Sequence, residues 1–335
     1  MLIVGDDKGG GDLNQGIVNN GAALTLDDRR TAVQSVFTGT TCYDLIPNSA
    51  KAIVFETTIP FQMAFYALIE HDTSVAPLWD PRSNSFAGLM TIADYINALK
   101  LCRRENVSMF DLSSRTIADL MESAMFEFQN AEFSSIDAED SVHMMCYHLN
   151  SQESNFVPII NPDNGSLVAI LGYIDLIHLI DQAAKQHAHL FSTTLQEMGF
   201  DVNKNSRTAL ESTSLLSILE DINDFQCGYP ILDATGVVIG IYHKTDITFI
   251  TKAAEPDAVL ANLENYSVGD VLKLQQAGEL GPLTPPLVTC CMTDRIDSII
   301  SVMMQARSPI VVIVDDASKF VGALTIAEII KFYLE

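Results

Sequence analysis

Apolar and polar positions along this chain follow two rhythms, and the pair of rhythms occurs four times. The first has apolar residues three and four apart, in TTIPFQMAFYALIEH, AEDSVHMMCYHLNSQ, STSLLSILEDINDF and TDRIDSIISVMMQAR. That spacing predicts an amphipathic helix, and several of these segments begin with a Ser, Thr or Asp able to cap one. A short apolar run follows each helix: SVAPLW, NFVPII, GYPIL and IVVIV. Such runs predict strands, and each leads into a polar turn, DPRSNS, NPDNGS, DATG or DDASK. A second apolar run then passes into another helix with a carboxylate near its first turn. These carboxylates are Asp94, Asp175, Asp246 and Glu328. They recur at intervals of roughly 70–80 residues, so the chain contains a fourfold repeat.

The repeating unit predicts an α/β (α+β) fold. One unit is a small sheet with helices on one side, which leaves an apolar face to cover, so units must pair and four give two pairs. Segments 101–135 and 184–210 contain further helical patterns, RTIADLMESAMFEFQ and FSTTLQEMGF, and do not look like flexible linkers. The third connection, 255–291, holds SVGDVLKL and the loop-like AGELGPLTPPL. Residues 1–35 begin rich in Gly, Asn and Asp and are expected to form a mobile arm with some helix near its end.

Charge narrows the function classes. The 335 residues carry 43 acids against 19 Lys and Arg, a formal net charge of −24. Such a chain repels phosphate backbones and anionic lipid, which argues against nucleic acid and membrane surfaces as partners. No apolar run approaches the ~18 residues of a membrane span, and the N-terminus lacks the basic start of a secretory signal. The six cysteines are scattered without a C-x-x-C pair, as expected for buried thiols in the cytoplasm or nucleus.

Catalytic constellations are weak. KGGGD at Lys8 is Gly-rich but precedes no strand–helix unit, so it reads as tail and not as a phosphate loop. His187 and His189, with His178 nearby, could hold a metal, but no Cys or Asp stands at ligand spacing. His143 and His148 are five apart, not the four of a zinc-peptidase pair. The expectation is a non-enzyme without a catalytic residue, metal or required cofactor.

Within residues 41–99 stand CYDLIP, APLWD and FAGLMTIADYIN, with YSVGDVL further on. Pro77, Pro158 and Pro230 lie sixteen or seventeen residues before their acids, and Val312 takes the proline's place in the last repeat. This motif set resembles the γ regulatory subunits of AMP-activated protein kinase and its fungal and plant counterparts, which are built of CBS repeats. The resemblance covers about 300 residues and is strongest in the first repeat.

The resemblance implies four CBS repeats forming two Bateman modules in a pseudo-twofold disk. The first module would span 36–183, with repeats at about 41–100 and 132–183. The second would span 184–335, with repeats at about 205–254 and 267–335. It implies a kinase α subunit and a scaffold β subunit as partners, energy sensing as the role, and AMP, ADP or ATP as candidate ligands. The acids Asp94, Asp175, Asp246 and Glu328 would line the pockets and hold ribose hydroxyls, with Asp94 and Asp246 first in line. Thr91, Thr325, Lys244, Ser74 and Cys227 would complete the ligand-binding set. The residue-level alternative for all four acids is helix capping, since a negative charge in the first turn meets the helix dipole and its free N–H groups.

The chain departs from the family pattern where phosphates are held. Basic or hydroxyl positions of the family are Ser74, Asn155, Phe156, Ile174, Phe225, Cys227, Pro309 and Ile310 here, and Lys244 alone keeps its identity. Arg307 falls two residues short of the basic pair in the last repeat. Each charge-assisted bond to phosphate contributes about 1.5–3 kcal/mol, so four or five such losses forfeit about 5 kcal/mol or more. Several apolar replacements turned toward the centre would make a dry plug, and nucleotide binding is expected to be weakened or lost. The alternative function is a stand-alone CBS protein that binds adenosine or another small ribose ligand and regulates a different partner.

Overall fold

The computed structural model describes residues 25–47, 52–128, 132–151, 155–202, 207–222, 228–252, 258–259, 262–280 and 283–335. Four three-stranded sheets are built alike. In the first, Phe55–Glu56 pairs parallel to Val75–Asp80, which pairs antiparallel to Ser85–Thr91. The same order recurs in Ile136–Asp137, Phe156–Ile160 and Leu167–Gly172. It recurs again in Ala209–Leu210, Gly228–Leu232 and Val238–His243, and in Thr289–Cys290, Ile310–Val314 and Phe320–Thr325.

Register is conserved among the four as closely as order. The first residue of each middle strand faces the last of the third: Val75 and Thr91, Phe156 and Gly172, Gly228 and His243, Ile310 and Thr325. A bulge interrupts each ladder at the same place, after Leu78, Ile159, Ile231 and Ile313. An extra residue there bends and twists the strand, so each turn leaves its sheet the same way.

A front helix precedes each middle strand: Phe61–Glu70, Val142–Ser151, Leu215–Asp221 and Ile296–Ala306. A closing helix follows each third strand: Ile92–Glu105, Tyr173–Gln186 and Ile326–Leu334 in repeats one, two and four. Repeat three differs, opening as a 3-10 segment, Lys244–Thr248, before one helical turn at Phe249–Lys252.

Four short helices between the repeats share one grammar. Cys42–Leu45, Ile117–Met121, Leu195–Met198 and Val268–Gln276 are each preceded by Thr or Ser (Thr41, Thr116, Thr194, Ser267). Each has an acid three residues after its cap: Asp44, Asp119, Glu197 and Asp270. The cap residues form isolated bridges with Ser141, Pro60, Arg295 and Ser214 respectively. So the segment before repeat one seats on repeat two, and the segment after repeat one returns to it. The segment before repeat three likewise seats on repeat four, and the segment after repeat three returns to it.

Helices join the halves differently. One core unites repeats two and four, where Leu176, Ile177 and Ile180 meet Ile296, Ile300 and Met303. A second unites repeats one and three, with Tyr95, Ile96 and Leu99 in the same core as Leu215, Leu219 and Ile247. The sheets of repeats three and four share a small core of Ile241, Ile310, Val312 and Ala323. Pairing therefore runs in both directions, within each half through the docking segments and between the halves through the helices.

Where the structure describes the segment 1–35, the helix expected near its end is present and docks on the core. Residues 26–39 form a helix with a capping box between Thr25 and Asp28. Its Ala32, Val33 and Phe37 are buried in the core of repeats two and four. Arg29 donates to the carbonyls of His189 and Leu190 at 2.7 Å. Apolar burial on one face explains why a segment of polar composition is ordered. Among the described residues no helix is long and apolar enough to cross a membrane.

Candidate ligand-binding site

The starts of the three closing helices and of the 3-10 segment of repeat three meet at one cavity of about 450 Å³. Its wall includes Thr91–Ala93, Gly172–Asp175, His243–Thr245 and Ile326–Ala327. The volume lies in the range of small-ligand sites, about 300–1,000 Å³. Each closing helix starts where its third strand ends, so the fourfold register brings these N-termini together. Their first-turn N–H groups add positive potential at the wall.

The four acids divide into two kinds. Asp94 is fully buried and away from the wall: its Oδ2 accepts from the Thr91 amide at 2.6 Å and hydroxyl at 2.9 Å. Asp246 is fully buried as well, with Oδ2 accepting from the His243 amide at 2.6 Å. Complete burial pushes its carboxyl up to about 7, against the backbone bond from His243. The Thr284 hydroxyl also opposes the rise. Glu328 is half-buried, with Oε2 accepting from the Thr325 amide at 2.8 Å and hydroxyl at 2.9 Å.

Asp175 alone among the four faces the cavity. Its Oδ2 accepts from the Gly172 amide at 2.8 Å. Burial raises its carboxyl above the usual range, and the backbone bond and the charge of Arg307 oppose the rise. The expectation that all four acids line the pocket, with Asp94 and Asp246 first, is therefore corrected. All four carboxylates cap their own element starts, and of them Asp175 also borders the cavity.

The remaining candidates also separate. Thr91, Ser74 and Lys244 lie on the wall, whereas Thr325 is buried behind it as the cap of the last helix. Cys227 and Phe225 lie outside the described residues. Asn155, Phe156, Ile174 and Pro309 line the cavity, and Ile310 is buried between the sheets of repeats three and four. Phe156, Ile174 and Pro309 coat the wall without filling it, so the expected dry plug is replaced by an open, mostly apolar chamber.

Gly172 explains why repeat two lacks a hydroxyl in its cap. A Cβ there would stand 2.8 Å from the carbonyl oxygen of Asn155. Thr91 and Thr325 occupy the equivalent register positions in repeats one and four.

Arg307 stands on the wall as well, which alignment by strand position had left in doubt. Lys244 and Arg307 bring two cations to the chamber of a very acidic chain. Asp72 stands there too, and was not among the candidates. Its sequence signal was slight: a polar residue between a helix and a strand. His187 and His189 have ring centroids 6.2 Å apart, and no metal-holding group of three or more His, Cys, Asp or Glu occurs among the described residues.

Comparisons with known proteins place these features among relatives. A family model described as the CBS domain matches residues 277–335. The chain is 24% identical over 296 residues to the 5'-AMP-activated protein kinase subunit gamma-3 of Bos taurus, covering 87% of this chain and 57% of that protein. It thus spans little more than half the length of that mammalian relative. It is 22% identical over 317 residues to the gamma subunit of the same kinase from Saccharomyces cerevisiae, covering 92% of this chain and 95% of that protein. Among solved structures, a Methanocaldococcus jannaschii protein described as a candidate archaeal homologue of γ-AMPK superposes with a TM-score of 0.69 at 12% identity. The match covers 88% of this chain and 100% of that one, and it shows a shared fold.

Proposed function

We propose that this chain, a homologue of the non-catalytic γ regulatory subunits of AMP-activated protein kinase, is the regulatory subunit of a kinase of that class. Its partners are a catalytic α subunit and a scaffold β subunit, its compartment is the cytoplasm, and its central cavity is the regulatory site. The observation that carries the reading is the convergence of the ends of all four third strands, and the elements that follow them, on one chamber, in a chain homologous to those subunits over most of its length.

The two modules, 36–183 and 184–335, belong to the same proposal. The docking segments support it, because each seats on a repeat of its own half. The response to adenine nucleotides is reduced: Phe156 and Ile174 coat the wall with apolar surface, and Asp94 and Asp246 are withdrawn from it. Phosphate held without a dense basic set loses the charge-assisted bonds that dominate such sites.

Affinity purification of the tagged full chain from its native cells, followed by mass spectrometry, tests the reading. Recovery of a kinase catalytic subunit and a scaffold subunit in stoichiometric amounts is expected. Recovery of the chain alone, or with an unrelated partner, overturns it in favour of a stand-alone CBS protein.

A further inference from the structure

Repeats one and four enter their middle strands through the same turn. Asp72 and Arg307 both adopt left-handed backbone, with φ of 52° and 51°. The Asp72 amide donates to the Ile69 carbonyl at 3.2 Å, and that of Arg307 to Met304 at 3.1 Å. The next residue, Thr73 or Ser308, donates its hydroxyl to the carbonyl of Val75 or Ile310, at 3.1 and 2.7 Å. One residue on, the carbonyls of Ser74 and Pro309 accept from the first amides of the closing helices, Ile92 at 3.1 Å and Ile326 at 3.0 Å.

This turn ties the position to the helix start, so a side chain there emerges on the cavity wall in both repeats. Left-handed backbone is unfavourable for most residues with a Cβ, and Arg is not among those that tolerate it best. Both side chains are exposed residues on the chamber wall, and they carry opposite charges.

We propose that Arg307 and Asp72 set the ligand specificity of the cavity: Arg307 anchors the single phosphate of a small phosphomonoester, and Asp72 disfavours longer phosphate chains. The inference rests on the cavity being the regulatory ligand site. Among the described residues the wall bears two carboxylates, Asp72 and Asp175, against two cations, Lys244 and Arg307, and is formally neutral with His243 uncharged. A guanidinium gives a phosphate paired donors. The charge of Arg307 is felt at Asp175, and a phosphate would compete for it. A triphosphate brings further negative charge to a wall with no surplus cation, inside a chain of net charge −24.

The test is calorimetric titration of the ligand-stripped full chain, and of Arg307→Gln and Asp72→Asn, with AMP, adenosine and ATP at fixed salt. The native chain is expected to bind AMP more tightly than adenosine or ATP. Arg307→Gln should weaken AMP about ten- to a hundredfold, the loss of one charge-assisted pair, and leave adenosine unchanged. Asp72→Asn, with a residue that tolerates left-handed backbone, should strengthen AMP and narrow its lead over ATP. AMP affinity unchanged in Arg307→Gln, or ATP tighter than AMP in the native chain, overturns the specificity pair and leaves the cavity as a ligand site. No binding of any of the three to the folded chain overturns both the pair and the ligand-site reading.

Discussion

The guanidinium of Arg30 lies over the ring of Phe332, 4.3 Å from its centroid. The first and last helices are thereby clasped, and Gln34 reinforces them by donating to the carbonyls of Tyr333 and Leu334 at 3.0 and 3.2 Å. Arg30→Ala should cost about 0.5–2 kcal/mol, the range of a cation–π contact between exposed and desolvated sites. Phe37→Ala, at a fully buried ring of the same helix, should cost about 3–5 kcal/mol. Denaturant unfolding of the two variants checks both. Equal, negligible losses would mean that the helix is not part of the folded core.

Asp246 predicts a pH dependence. Its folded-state carboxyl titrates near 7, above the ordinary 3.8. Between those values the folded chain holds a proton that the unfolded chain has lost. Its contribution to stability is therefore full below about pH 3.8 and is lost as pH rises through about 7. The slope from this one group is at most about 1.4 kcal/mol per pH unit. Asp246→Asn should remove that decline, so unfolding free energies of variant and native chain should converge or cross as pH rises from 5 to 8. Parallel curves over that range would rule out a protonated Asp246.

The two kinds of acid should separate in their variants. Asp94→Ala removes the acceptor for the buried Thr91 amide and should cost about 1–3 kcal/mol of stability. It should leave the affinity of any cavity ligand nearly unchanged, because Asp94 does not reach the wall. Asp175→Asn should do the reverse, altering ligand affinity with a smaller change in stability. Thermal unfolding and titration of the same two preparations decide the matter.

Gly172→Ala should be destabilising by about 1–3 kcal/mol, since its Cβ would press on the Asn155 carbonyl oxygen at 2.8 Å and neither backbone can yield easily. Gly165→Ala provides the contrast, because no atom lies within 4 Å of its added Cβ. Its cost would come from its left-handed backbone alone, φ 67°.

Much of the architecture was legible in the chain. Runs such as IVVIV, bounded by turn residues, define strands by composition alone, and the matching distance from strand to acid reflects the shared register. The acids' place in the first helical turn was legible too. Their orientation was not. Asp94 and Asp175 stand at equivalent positions, but only the first has a neighbouring hydroxyl, from Thr91, to draw its carboxylate inward. Arg307 was hard to place because alignment by strands says nothing of a left-handed residue two positions upstream. The first helix was obscured by its Gly- and Asn-rich surroundings, although Thr25 and Asp28 hold the spacing of a capping box. The same spacing recurs at Thr41, Thr116, Thr194 and Ser267, so the docking segments too are marked in the chain.

Those docking segments bear on how such a chain could have grown. The seats run from Thr41 to Ser141 and from Thr116 to Pro60, and the same exchange is repeated from Thr194 to Arg295 and from Ser267 to Ser214. A lone repeat added or deleted would strand one segment without a seat and leave one seat bare. Two repeats with both their segments form the smallest block that can be copied or lost without leaving such a gap.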